Sequence, residues 1–171
     1  MTDAEKRAYI IARTGEEKGQ KLIELFTEAY PNNDLLDALV MEDGCRITTL
    51  MIADMRAAEK AAPLYNYVFA HDFSFDDGRP AWHCAEIPYV FHNTDKAPLY
   101  CEPIAGEKLE KQFASAWISF AYTGDPSNEF MPKWEPYTTG NEVTMVIDTE
   151  SYLSAPGFDK ELVAYHESLQ T

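Results

Sequence analysis

The sequence is short of basic residues, of cysteine and of any long apolar run, and each shortage excludes something. Lys plus Arg number 14 against 29 Asp plus Glu, a formal net charge of −15. Phosphate groups are repelled by such a surface, which excludes nucleic acid and anionic membrane as expected partners. The acidic residues are scattered, so they read as a solvated surface and not as an acidic tail. Cys45, Cys84 and Cys101 cannot all pair, and none forms a C-x-x-C, so neither a disulfide framework nor a structural zinc finger is supported. A reducing, cytoplasmic setting is the expectation. The charged start, Met1-Thr2-Asp3-Ala4-Glu5-Lys6-Arg7, lacks the apolar core of a signal peptide, and no apolar stretch reaches the length of a membrane span.

What is present suits one folded domain. The chain has 171 residues, of which 46% are hydrophobic and 13% aromatic, enough to bury a core and too many for disorder. Its first third predicts helices. Thr2 and Glu5 fit a capping box, with Gly15 ending the run. Leu22, Ile23, Phe26 and Tyr30 share one helical face before Pro31. Asn33 or Asp34 can cap a third helix through Leu35, Leu36 and Leu39. Ile47, Leu50, Met51 and Met55 mark the apolar face of a fourth, running towards Lys60.

The texture changes at Pro63. Residues 63–70 are short, aromatic and apolar on both faces, as in a buried strand. A polar loop follows to Pro80, with Asp76-Asp77-Gly78 as a turn signal. Leu109, Phe113, Ala116, Trp117 and Phe120 predict the most strongly amphipathic helix, its polar face Lys108, Lys111, Gln112, Ser115 and Ser119. Gly124 supplies its left-handed cap, and Asp125-Pro126 forbids continuation. A second strand is expected near 142–148, and Phe158, Leu162, Tyr165 and Leu169 give a closing helix. The expected class is α/β: 1–60 helical, then strand, loop, helix and strand over 63–148, with a closing helix at 158–169. Two strands make a marginal sheet, so the sequence reads as a piece of something larger.

The stretch that carries chemistry is residues 78–91, with His83 after the polar loop and Glu86 three residues on. A neutral imidazole there can act as a general base near pH 7. The residues alone favour a plainer reading, a histidine packed between Trp82 and Tyr89 with its nitrogens satisfied by backbone. A zinc site built from His71, His83, Cys84, Glu86, His92 and Cys101 matches no ligand spacing, so neither metal nor cofactor is expected. Cys84 beside His83 points to the opposite side of an extended segment, so it reads as a small buried apolar residue and not a thiol nucleophile. Phe113, Trp117 and Phe120 read as core, and Ser74, Ser115 and Ser119 as surface hydroxyls.

Three ordered blocks resemble the C-terminal part of the type B carboxylesterases, the carboxylesterase–cholinesterase group of α/β-hydrolases. Pro63-Leu64-Tyr65-Asn66-Tyr67-Val68-Phe69 is similar to the family's penultimate strand. His83-Cys84-Ala85-Glu86-Ile87-Pro88-Tyr89-Val90-Phe91 resembles its catalytic-histidine block. Trp117-Ile118-Ser119-Phe120-Ala121-Tyr122-Thr123-Gly124-Asp125-Pro126, with Trp134 and Tyr137 beyond, resembles its late helix and the Thr-Gly-Asp-Pro ending. The resemblance implies that His83 is the triad histidine, taking the serine proton and returning it to the leaving alcohol. Glu86 matches a usually acidic position and is expected to be structural.

The departures matter as much. An α/β-hydrolase holds its serine on a Gly-x-Ser-x-Gly elbow. The eight glycines here are Gly15, Gly19, Gly44, Gly78, Gly106, Gly124, Gly140 and Gly157, and the one pair four apart, Gly15 and Gly19, has Glu17 at the place of the serine. The elbow, the Gly-rich oxyanion segment and the triad acid are therefore expected on polypeptide outside this chain. The chain alone is expected to be inactive, and a small-molecule ester is its partner only with the missing N-terminal part. An open edge on strand 63–70 also predicts a homodimer. The alternative from a different class is a noncatalytic, acidic protein-interaction module on a hydrolase-derived scaffold.

Overall fold

The computed structural model describes residues 1–41, 43–60, 62–76, 78–97, 102 and 104–170. Two positions raised above, Asp77 of the turn signal and Cys101, lie outside the described residues. The chain divides into two compact units, Met1–Ile52 with Gly157–Thr171, and Ala53–Pro156.

The first unit is helical. Helix α1 (Asp3–Thr14) starts at the predicted box: the Thr2 hydroxyl accepts from the Glu5 backbone N–H, and the Glu5 carboxylate accepts from that of Thr2 at 2.7 Å. It ends at Gly15, whose φ of 88° relieves the steric problem a side chain would meet there. Helix α2 (Glu16–Ala29) approaches α1 closely at Gly19, where an added Cβ would lie 2.9 Å from the Ile11 Cα. A 3₁₀ helix (Leu35–Leu39) is capped by Asp34, whose carboxylate accepts from the Leu36 N–H. The closing helix is α6 (Lys160–Gln170), which packs on α2. Ile10, Leu22, Ile23, Phe26, Leu35, Leu50, Leu162 and Val163 form the buried interior.

Helix α3 (Asp43–Glu59) corrects the sequence reading. Met51 and Met55 are exposed, and the buried face carries Arg46, Leu50 and Ala53. Arg46 is drawn in because Asp159 is buried there. Its Nε and Nη2 donate to the two Asp159 oxygens at 2.7 and 2.9 Å, and the Tyr30 hydroxyl adds a third bond at 3.0 Å. An ion pair thus lies on the buried face, and the methionines that apolar periodicity placed there face outward.

The second unit carries the strands. They are shorter and more numerous than expected: five described strands in two sheets replace the two predicted ones. β1 (Tyr67–Phe69) pairs in parallel with β4 (Met145–Ile147), and β4 pairs antiparallel with β5 (Tyr152–Leu153). β2 (Asp72–Phe73) and β3 (Arg79–Pro80) form a small antiparallel hairpin inside the segment read as polar loop. Helix α4 (Ile87–Val90) and helix α5 (Ala105–Thr123) follow. The parallel pair with an intervening helix meets the α/β expectation.

α5 covers the sheet with an aromatic face. Its Phe113 ring meets Phe69 edge-on at 5.1 Å and Tyr67 at 6.1 Å, and Tyr89 stacks on it at 6.0 Å. Full burial of such a ring stabilises by about 2–3 kcal/mol. Leu109, Phe113 and Ala116 are buried as predicted, whereas Trp117 and Phe120 are partly exposed. Gln112 is the other correction: placed on the polar face by periodicity, it is buried, with its amide bonded to the Ser151 hydroxyl and to the Thr149 carbonyl at 3.5 Å. Gly124 ends α5 in the left-handed conformation (φ 78°), as the sequence required.

Candidate functional site

His83 lies on the turn between β3 and α4, and its side chain is exposed. The plainer expectation, a ring packed between Trp82 and Tyr89, is not what the fold builds. The flanking residues are buried instead: Ala85 and Tyr89 are fully enclosed in the core of the second unit. Trp82 packs on Phe73 at 5.0 Å and lies under the Arg79 guanidinium at 5.4 Å. Backbone bonds from Ala85 to Trp82 (2.9 Å) and from Ile87 to Cys84 (3.3 Å) tighten the turn. Cys84 has a φ of 68°, a strained value for a non-glycine residue, and its thiol is exposed and free. This corrects the expectation of a buried Cys84. The positive φ breaks the extended geometry assumed for residues 83 and 84 and turns the chain sharply beside the imidazole.

Glu86 fastens the far side of the turn. Its carboxylate accepts from the Tyr67 hydroxyl at 3.3 Å, and its carbonyl accepts the N–H groups of Tyr89 and Val90 at 3.0 Å. Burial, and then the Glu86 charge, push the Tyr67 phenol well above its ordinary pKa, so it stays a neutral donor. The loop that carries His83 is therefore pinned to β1 at Glu86 and to the core at Trp82, Ala85 and Tyr89. Its imidazole is presented outward from a held backbone. Tyr67, Glu86, Ile87, Val90, Phe91, Trp117, Ile118, Ala121 and Tyr122 line an open, largely apolar groove between α4 and α5.

A second histidine cluster escaped the sequence reading. His71, assigned there to a polar loop, is buried. Its Nδ1 lies 2.8 Å from Asp148 Oδ1 and its Nε2 lies 2.8 Å from Glu102 Oε2. Burial pushes the imidazole towards its neutral form, but the bonds to Asp148 and Glu102 and their charges outweigh it, so the pKa sits above the ordinary histidine value. Burial likewise pushes Glu102 up, while bonds from Ser74 and His71 pull it down further, leaving it below the usual carboxylate range. The two ring nitrogens point in opposite directions, so the carboxylates cannot converge on one metal ion. Among the described residues no group of His, Cys, Asp and Glu forms a metal site. The signal was in the strand ends: Phe69 pairs with Ile147, which brings the chain just beyond each strand together.

The comparisons with known proteins bear on this geometry. A family model described as the carboxylesterase family matches residues 12–164. The para-nitrobenzyl esterase of Bacillus subtilis (strain 168) is 30% identical over 138 residues, 77% of this chain and 27% of that protein. The bile salt-activated lipase of Homo sapiens is 36% identical over 101 residues, 55% of this chain and 13% of that one. Among solved structures, an esterase from Clostridium hathewayi that can hydrolyze aliphatic aromatic polyesters superposes with a TM-score of 0.91 at 32% identity. The match covers 99% of this chain and 33% of that one. The neighbours are α/β-hydrolase esterases, and this chain has the architecture of a part of that fold. Its matches thus span between 13% and 27% of the relatives' length. With its family model running through nearly every element from α1 to α6, the chain belongs to the carboxylesterase family.

Proposed function

We propose that this chain is the C-terminal part of a serine carboxylesterase and supplies the triad histidine, His83, for hydrolysis of carboxylic esters. The observation that carries the reading is the outward-facing imidazole on a pinned loop, within the segment the family model matches. In the assembled enzyme His83 Nε2 takes the proton of a serine hydroxyl as it attacks the ester carbonyl, then returns it to the leaving alkoxide. Water repeats the cycle on the acyl-enzyme. This chain contains no Gly-x-Ser-x-Gly segment, so we expect no turnover from it alone. Its p-nitrophenyl acetate rate should match buffer with an equal concentration of imidazole. A rate abolished both by His83→Ala and by a serine-directed phosphonate would overturn the expected inactivity.

Two finer points belong to the same reading. Association of two copies is supported by the position of β1 at the end of its described sheet; light scattering at high micromolar concentration should give a dimer, and a monomer refutes it. A reducing, cytoplasmic setting is supported by the free thiols of Cys45 and Cys84. Alkylation of the native protein from its source should label both, and recovery of either in a disulfide argues against that setting.

A further inference from the structure

We propose that His71, as an imidazolium held between Glu102 and Asp148, is the positioning residue of the His83 loop and makes the order of that loop depend on pH. The consequence for catalysis rests on the reading of His83 given above; the clamp itself does not. Both carboxylates meet a ring nitrogen at 2.8 Å, and each carboxylate is an acceptor. Only the imidazolium has two N–H donors; a neutral ring turns a lone pair towards one of them. Two aromatic rings also pack on it, Phe69 of β1 stacked at 6.1 Å and Phe73 of β2 edge-on at 5.0 Å. Among the described residues, Glu102, ahead of α5, and Asp148, just after β4, are the titratable groups paired with it.

The route from the clamp to His83 is short. Glu102 also accepts the Ser74 backbone N–H at 2.7 Å, which fixes the end of β2. Asp148 also accepts the Thr149 N–H at 2.6 Å, which holds its carboxylate in place at the end of β4. The His71 carbonyl accepts the Ala81 N–H at 3.0 Å, and the hairpin rungs Asp72–Pro80 and Phe73–Arg79 follow. The base of the hairpin that hands the chain to His83 is thus joined to the clamp through His71 and Glu102. Deprotonation removes one of the two arms. The turn from Ala81 to Glu86 then loses order on the alkaline side while the aromatic core remains.

The test is an imidazole ¹⁵N titration of the 171-residue chain, with amide hydrogen exchange across residues 81–87, between pH 5 and pH 10. His71 should carry protons on both nitrogens at pH 7 and titrate above the ordinary histidine value. Protection at Ala85 and Ile87 should fall as His71 deprotonates, by about tenfold for each unit its midpoint stands above 6.5. His71→Gln should flatten that pH dependence while protection at Phe113 persists. Should His71→Gln fail to fold, Glu102→Gln and Asp148→Asn each remove one arm, and each should lower the His71 midpoint and weaken protection of the turn. A neutral His71 ring at pH 7 overturns the proposal. So does a turn whose protection follows the same pH profile in wild type and variant. These readouts involve no ester, so failure of the catalytic reading, seen in His83→Ala assays, is distinguished from failure of the clamp.

Discussion

Arg46→Met tests the energetics of the first unit most sharply. The Arg46 side chain is 8% exposed and that of Asp159 1%, and two direct bonds of 2.7 and 2.9 Å join them. Met keeps an unbranched apolar stem and removes the charge, together with the guanidinium that lies over the Phe158 ring at 5.9 Å. Asp159 is then left buried without its guanidinium, with the Tyr30 hydroxyl at 3.0 Å. Breaking a buried pair from one side typically costs about 3–5 kcal/mol, because the stranded charge cannot be rehydrated. At roughly 2–4 °C per kcal/mol for a chain of this size, Tm should fall by about 6–20 °C. Urea unfolding monitored by far-ultraviolet circular dichroism gives the free energy directly. The double variant with Asp159→Leu should recover part of the loss, with a coupling of about 1–3 kcal/mol. A single variant within about 1 kcal/mol of wild type, or strictly additive losses, would refute the reasoning.

Further outcomes follow from the same structure. Phe113→Ala, which empties the centre of the aromatic core, should destabilise by about 3–5 kcal/mol and flatten the near-ultraviolet dichroism of the folded protein; a loss under about 1 kcal/mol contradicts the packing described. The second unit should be most stable in a window bounded by two titrations. Glu102 has a lowered folded pKa, so its contribution is present above the usual carboxylate range and lost as pH falls through the folded value. His71 has a raised one, so its contribution is complete below about 6.5 and lost as pH climbs through the folded value. Urea midpoints from pH 3 to pH 10 should show both limbs, and His71→Gln should remove the alkaline one. Gly124→Ala forces a β-carbon into the left-handed cap of α5 and should cost about 1 kcal/mol in the same assay.

Local rules read correctly from the sequence are those whose partners are near in sequence. The Thr2–Glu5 box, the Asp34 cap, and the glycines at 15 and 124 each act within a few residues, and each lies where propensity put it. The strands at 67–69 and 145–147 were legible as two apolar runs, though not their parallel pairing, and only part of each run forms the ladder. What escaped depends on distant partners. Arg46 is buried because Asp159 lies 113 positions away, and His71 because Asp148 and Glu102 lie 77 and 31 away. Gln112 is buried by the Ser151 hydroxyl, and periodicity has no means of seeing that bond. Each miss has the same physical form: a polar group enters the interior once a specific acceptor or donor is waiting there. For His83 the residues by themselves suggested a packed ring, and the imidazole is exposed instead.

The role of His83 is tested most directly in a chimaera, with this chain replacing the matched third of the Clostridium hathewayi esterase, to which it superposes at a TM-score of 0.91. The account predicts hydrolysis of p-nitrophenyl acetate by the chimaera and a fall in kcat of roughly 10³-fold or more in its His83→Ala form, with the fold intact. An active chimaera whose kcat is indifferent to His83→Ala would contradict it.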